Sequence, residues 1–115
     1  MSRDVSNRVP GLLGLARRAG GVAPGTEAAR QAIRSGQARL VIVAGDVSPA
    51  QSAKIRRTLL GRAVPHASWG SRGELGAALG LAPLSAVAVT HRRLAAEMLE
   101  ELEALAGTVV SGAEG

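Results

Sequence analysis

From Val9 to Ala19 the apolar residues Leu12, Leu15, Ala16 and Ala19 recur at helical spacing, with Pro10 at an early position and Gly20 as a stop. This predicts a first helix whose last turn carries Arg17 and Arg18. Gly21 to Pro24 reads as a short extended piece, after which Gly25, Thr26 and Glu27 open a second helix that runs to about Ser35 and closes at Gly36. Its inward stripe is Ala29, Ala32 and Ile33, and its other side holds Glu27, Arg30, Gln31 and Arg34. Leu40 to Ala44 is a continuous apolar run with β-branched residues, the pattern of a strand covered on both faces. Asp46 or Ser48 caps the helix that follows, with Pro49 near its first turn, Ile55 and Leu59 facing inward and Gly61 at its end.

Val64 to Trp69 is the next strand. Ser71 followed by Glu74 is a capping box, in which each side chain satisfies an orphan backbone donor at a helix start. Leu75, Ala78 and Leu79 supply that helix's stripe and Gly80 its stop. Beyond the apolar loop Leu81 to Leu84, the run Ala86 to Val89 is a second buried strand, and Thr90 caps a final helix with the stripe Leu94, Met98, Leu102 and Leu105. Helices and strands alternate throughout, which predicts a three-layer α/β/α sandwich around a mixed, mostly parallel four-stranded sheet. One domain is expected over residues 9–106, between flexible ends at 1–8 and 107–115.

Composition narrows the chemistry. Of the 115 residues 46% are hydrophobic but only Trp69 is aromatic, so the core is aliphatic, and modules that stack bases on Phe or Tyr platforms are disfavoured. Without cysteine there is neither a disulfide framework nor a thiolate metal site, which suits a cytoplasmic protein. The apolar run Leu40 to Ala44 is far too short to span a bilayer, and Met1 to Arg18 is unlike a secretory signal, because Gly14 interrupts its apolar stretch and Arg17 and Arg18 follow.

Fourteen cations against nine acids give a net charge of +5, and thirteen of the fourteen are Arg. Residues 1–93 hold all fourteen cations against Asp4, Glu27, Asp46 and Glu74, whereas residues 94–115 hold only the five remaining acids. Genome base composition can explain the preference for Arg over Lys but not the excess of positive charge. The guanidinium fork suits phosphate oxygens, so the basic body points to a polyanionic partner.

The segments Leu13-Gly-Leu-Ala-Arg-Arg-Ala-Gly20, Pro24-Gly-Thr-Glu27, Gln31-Ala-Ile-Arg-Ser-Gly36, Leu40-Val-Ile-Val-Ala-Gly-Asp46 and Glu74-Leu-Gly-Ala-Ala-Leu-Gly80 resemble one family in a single register. The chain is similar, over residues 9 to 100, to the L7Ae and L30e type of kink-turn RNA-binding ribosomal protein, most closely its small bacterial YlxQ-like members. The resemblance implies an α/β/α sandwich that binds structured RNA, ribosomal RNA among the candidates, without catalysis and as a monomer. In the family, the N-terminus of the second helix enters the widened major groove at the sheared G·A pairs, and the loop before the last strand covers the extruded nucleotides. On this chain those regions are Gly25 to Gln31 and Leu81 to Ser85. Three positions depart from the family pattern: Ala28 has no polar group, Gln31 stands where a cation is common, and Gly45 replaces the acidic residue common just before Asp46.

The residues themselves agree with that placement. A helix N-terminus offers unpaired N–H groups and partial positive charge, and Gly25 admits a phosphate close to the backbone. Thr26, Glu27 and Gln31 carry groups that read base edges, while Arg30 and Arg34, with Arg17 and Arg18 on the first helix, grip phosphates. A capped, solvated helix face with a Glu27 to Arg30 or Glu27 to Gln31 contact is the plainer reading of the same residues. Leu81, Ala82, Pro83, Leu84 and Ser85 either lie over an unstacked base or plug the end of the core. Lys54, Arg56, Arg57 and Arg62 either extend the footprint or form a solvated basic face.

Other motifs are weaker. Gly70-Ser-Arg-Gly73 mimics a phosphate-binding turn but lacks both the dinucleotide and the P-loop patterns. His66 and His91 sit on different elements with no carboxylate pair beside them, so no metal, no cofactor and no catalytic set is expected. A protein-interaction module using the acidic last helix or the apolar loop, and a small nucleotide-binding domain at the sheet edge, are the competing classes.

Overall fold

The computed structural model describes residues 7–106 and 110–111. Its elements follow the expected alternation: α1 (Val9–Arg18), β1 (Val22–Pro24), α2 (Thr26–Arg34), β2 (Leu40–Val43), α3 (Pro49–Leu59), β3 (Pro65–Ser68), α4 (Arg72–Leu79), β4 (Ala86–Val89), α5 (Arg92–Ala106) and β5 (Val110–Ser111). Of the expected flexible ends, residues 1–6, 107–109 and 112–115 lie outside the described residues, and Val110–Ser111 pairs with the edge of β3.

The three layers are visible in how the core divides. On one face of the sheet Ala29, Ala32 and Ile33 of α2 and Ile55 and Leu59 of α3 pack against Val41, Ala86 and Ala88. On the other, Leu12, Leu13 and Ala16 of α1, Leu75 and Leu79 of α4 and Met98 and Leu102 of α5 cover Leu40, Ile42, Val87 and Val89. Alternate residues of β2 and β4 therefore face opposite layers, and all four residues of β4 are buried, as two-sided coverage requires. Each buried Val, Leu, Ile or Met side chain among them contributes about 1.5–3 kcal/mol relative to exposure.

The stripe of α1 differs from the expected one. Val9, Leu12, Leu13 and Ala16 are buried, whereas Leu15 is 46% exposed and Ala19 is exposed. Both sets fit a helical period, and only the approach of α4 and α5 from one side selects between them. Leu105, near the end of α5, is likewise 41% exposed.

The sheet is mixed, in the order β1-β4-β2-β3-β5, but it is not mostly parallel. Only β2 and β3 run parallel; β4 is antiparallel to both β1 and β2, and β5 is antiparallel to β3. The reason lies between β3 and β4. A crossover helix normally carries the chain to the far end of the sheet, so that the next strand runs parallel. Here α4 has only eight residues, Gly80 ends it in a left-handed turn, and the chain doubles back along the helix. Leu81 N–H donates to Gly76 O (2.8 Å) and Leu84 N–H to Arg72 O (3.2 Å). The return cancels the crossover, so β4 starts at the end where β3 stopped.

That doubled-back loop lies directly on Gly76. A Cβ there would sit 2.9 Å from Leu81 O and closer still to the carbonyl of Ala82, contacts that backbone atoms cannot yield cheaply. Gly76→Ala is expected to lower stability by about 1–3 kcal/mol through overpacking, outweighing a helix-propensity gain of about 1 kcal/mol. Gly11→Ala, where a Cβ meets nothing within 4 Å, is expected to raise it. Urea midpoints at unchanged m-value measure both.

Candidate nucleic-acid interface

Because β4 runs against its neighbours, the ends of β1, β2 and β3 and the start of β4 share one edge of the fold. Backbone hydrogen bonds tie the connecting turns together there. Gly25 N–H donates to Ala86 O (2.7 Å), Ala44 N–H to Ser85 O (2.8 Å) and Gly45 N–H to Gly70 O (2.6 Å). The start of α2 and the end of the Leu81 to Ser85 loop, far apart in sequence, are thereby held side by side.

Three other helices start on a side-chain cap, while α1, with Arg8 at its N-cap, has no side-chain cap hydrogen bond, as α2 has none. Ser48 Oγ accepts from Gln51 N–H at the start of α3 (3.2 Å), so Ser48, not Asp46, is that cap. Ser71 and Glu74 form the expected capping box on α4, and Asp46 Oδ1 also accepts from Arg72 N–H (2.8 Å), filling the turn that mimicked a phosphate site with a carboxylate. At α5 the cap is His91, whose Nδ1 accepts from Leu94 N–H (3.2 Å), in place of Thr90. Gly25 caps α2 with no side-chain hydrogen bond, at φ 97° and ψ 158°, and a Cβ on it would meet nothing within 4 Å. Among the described residues the first-turn amides of α2 therefore have no side-chain partner, and the space that a Cβ of Gly25 would fill is open.

Behind this mouth Arg30 is pinned. Its Nη1 donates to Glu27 Oε2 (2.8 Å) and its Nε to Thr58 Oγ1 on α3 (3.0 Å), while Thr58 donates to Lys54 O (2.9 Å). The Arg30 hydrogen bond holds the exposed Glu27 carboxyl below its ordinary value, with the charges of Arg30, Lys54 and Arg34 adding to the effect. Glu27 is thus a fixed carboxylate acceptor at the helix start. Gln31 and Arg34 lie exposed on the same helix, and Thr26 and Ala28 are half-buried.

The loop divides between core and surface. Leu81 and Leu84 pack against the core, whereas Ala82 and Pro83 are exposed. Arg17 and Arg18 do not join the site. The end of α1 leads into Val22, which pairs with Val89 at the opposite end of the sheet, and Arg17 Nη1 donates to Leu79 O (2.6 Å) at the end of α4. Their proximity to the site was suggested by charge alone, which says nothing of where a helix ends in space.

Sequence reasoning passed over Thr58, the partner that fixes Arg30, and left Arg62 unassigned. Arg62 Nη1 donates to Ile33 O (3.1 Å) and so caps the end of α2 from the turn after α3. No local pattern reveals either contact, since both cross between helices. Together α2, α3 and that turn carry Arg30, Arg34, Lys54, Arg56, Arg57 and Arg62 against one acid, Glu27. The acidic α5 lies on the other side of the sheet, where Glu97 and Glu101 pair with Arg8 (3.7 and 3.3 Å). The layer of α2 and α3 is therefore strongly basic, whereas α1, α4 and α5 set Arg17, Arg18, Arg72, Arg92 and Arg93 against Glu74, Glu97, Glu100, Glu101 and Glu103.

A groove of about 560 Å³, mostly apolar, lies under α3, between Val43, Ile55, Arg56 and His66. The titratable side chains in its lining are those of Arg56 and His66. No helix of the described residues is long and apolar enough to cross a membrane.

Residues 7–99 match the model of the ribosomal protein L7Ae/L30e/S12e/Gadd45 family. Among solved structures, a protein of unknown function from Bacillus halodurans C is similar, with a TM-score of 0.79 and 26% identity, over 84% of this chain and 97% of that one. The Giardia lamblia 15.5kD RNA binding protein shares the fold at a TM-score of 0.68 and 22% identity, over 91% of this chain and 92% of that one.

The Glu27 to Arg30 contact gives a direct test. An NMR titration of the Glu27 carboxyl is expected to give a midpoint below 4.5, and Arg30→Gln is expected to return it toward 4.5. Because the folded value is depressed, whatever stability the contact adds is present above 4.5 and fades as pH falls through the lowered midpoint.

Proposed function

Because the chain belongs to the ribosomal protein L7Ae/L30e/S12e/Gadd45 family, we propose that it is a non-catalytic RNA-binding protein acting on structured RNA of the kink-turn kind, with ribosomal RNA among the candidates. It works as a cytoplasmic monomer. The observation that carries this reading is the open, uncapped start of α2 at Gly25, set beside the Leu81 to Ser85 loop and backed by the basic layer of α2 and α3. The 15.5kD protein of the same fold is named as RNA binding, which supports it.

In this reading a phosphate approaches the backbone of Gly25, where no Cβ intervenes, and accepts hydrogen bonds from the first-turn amides of α2. Glu27 sits one residue into the helix with its carboxylate held by Arg30, so it accepts from the amino group of a guanine or cytosine rather than competing with the phosphate. Thr26 and Gln31 add neutral donors and acceptors for base edges. Arg30 and Arg34 supply the sequence-independent attraction through counterion release. The exposed pair Ala82 and Pro83 covers the sugar or base that a kink expels, on the support of the half-buried Leu81 and Leu84.

Titration against a kink-turn RNA and a straight duplex of equal length, each at two salt concentrations, tests this. The kinked RNA is expected to bind more tightly. Glu27→Ala is expected to remove about tenfold or more of that preference, in line with one lost base contact of about 1–3 kcal/mol. Arg30→Ala is expected to weaken both RNAs and to flatten the salt dependence by about one unit of slope, and, because it frees the Glu27 carboxylate, to remove part of the preference for the kinked RNA as well. Equal affinity of the unmodified protein for the two RNAs overturns the kink-turn assignment, and no binding at low salt overturns RNA binding itself.

A further inference from the structure

Between α2 and α3 runs an open groove of about 320 Å³ lined by Arg30, Arg34, Arg57, Thr58, Leu60 and Arg62. We propose that this groove is a second phosphate-binding site, which holds the backbone of an RNA stem leaving the start of α2. The inference rests on the reading that α2 receives RNA at Gly25, and it adds a separate contact region and a requirement on the RNA.

Four guanidinium groups face one groove whose lining includes no carboxylate. Like charges gathered this closely repel one another, and a polyanion relieves that repulsion. Two of the four are held in place by the fold. Arg30 is fixed by Thr58 and Glu27, and Arg62 by the carbonyl of Ile33, so these forks are oriented before any ligand arrives. Each has five donors and uses only some of them, which leaves others for phosphate oxygens. Arg34 and Arg57 are exposed and form no ion pair among the described residues.

The location carries one opposing effect, which the structure offsets. The end of a helix presents carbonyls with partial negative charge, and these would repel a phosphate beside the last turn of α2. Arg62 lies over two of them, with Nη1 3.1 Å from Ile33 O and 3.5 Å from Arg34 O. The groove has no aromatic wall on which a base could stack, so the contact it offers is to backbone and is independent of sequence.

Gly25 and Arg34 are nine residues apart, about 13 Å along the helix at 1.5 Å per residue. An A-form RNA stem rises less per pair than the about 3.4 Å of B-DNA, so it must continue for at least roughly four pairs beyond the first contact to reach the groove. The RNA is therefore one with a duplex flank on the α2 and α3 side, not an isolated kinked loop.

The test uses the full chain with Arg57→Gln and Arg57→Lys, since the Arg57 side chain makes no hydrogen bond or ion pair among the described residues. Two hairpins carry the same kink, one with a stem of about ten base pairs beyond it and one cut to about two, too short to span roughly 13 Å. On the long stem Arg57→Gln is expected to weaken binding about three- to tenfold and to lower the salt slope by about one, while Arg57→Lys keeps most of both. On the short stem Arg57→Gln is expected to change nothing. An unchanged long-stem affinity, or an equal loss on both stems, overturns the proposal. If Glu27→Ala still narrows the preference for kinked RNA in that case, the groove alone fails and the reading of α2 stands; if neither variant has an effect, both fail. Inorganic phosphate gives a third arm: perturbation of the Arg57 side-chain NMR signals by phosphate, with the RNA salt slope unchanged, assigns the groove to a free anion and overturns the RNA claim.

Discussion

The backbone of the loop after α4 lies against Gly76 with no room for one more carbon atom, and the site's geometry depends on that contact. By folding back along its own helix the chain re-enters the sheet from the end at which it left, and β4 becomes an antiparallel strand between β1 and β2. Three strand ends and one strand start then meet at a single edge. Had the loop run onward, β4 would have entered from the other end, and Ser85 would lie a strand's length from Ala44 and Gly25 rather than bonded beside them.

At that edge the backbone, more than the side chains, defines the surface. Ser48, the Ser71 and Glu74 pair with Asp46, and His91 each satisfy donors at the start of a helix. Gly25 has no side chain to do so, and its positive φ admits few other residues. A glycine start of this kind forgoes only about a few tenths of a kcal/mol of capping stability, and it leaves a set of donors without a side-chain partner. The nearest carboxylate, Glu27, is turned to Arg30 and does not fold back over the amides as Glu74 does on α4.

Charge is arranged by the same architecture. The cations of α2 and α3 share one layer and the acids of α5 lie in the other, with the sheet between them. Within the basic layer Arg30 and Arg62 are as much structural as electrostatic, since one joins α2 to α3 and the other closes the end of α2. Substitution at these positions reports on packing as well as on charge, whereas Arg34 and Arg57 report on charge alone.

Much was legible from residue order. The alternation of elements, the buried runs Leu40 to Ala44 and Ala86 to Val89, the stripe of α2 and the capping box at Ser71 are local patterns, set by periodicity and by side chains that reach their own backbone. The open helix start at Gly25 was legible for the same reason, because a glycine cap with no Ser, Thr, Asn or Asp is a local fact. Strand direction, the choice of Val9 and Leu13 over Leu15 on α1, the use of Asp46 across the sheet edge, the pairing of Arg30 with Thr58 and the removal of Arg17 to the far end were decided by the tertiary structure. Each depends on a contact between segments distant in sequence, and the energy of such a contact appears only when packing brings the two segments together.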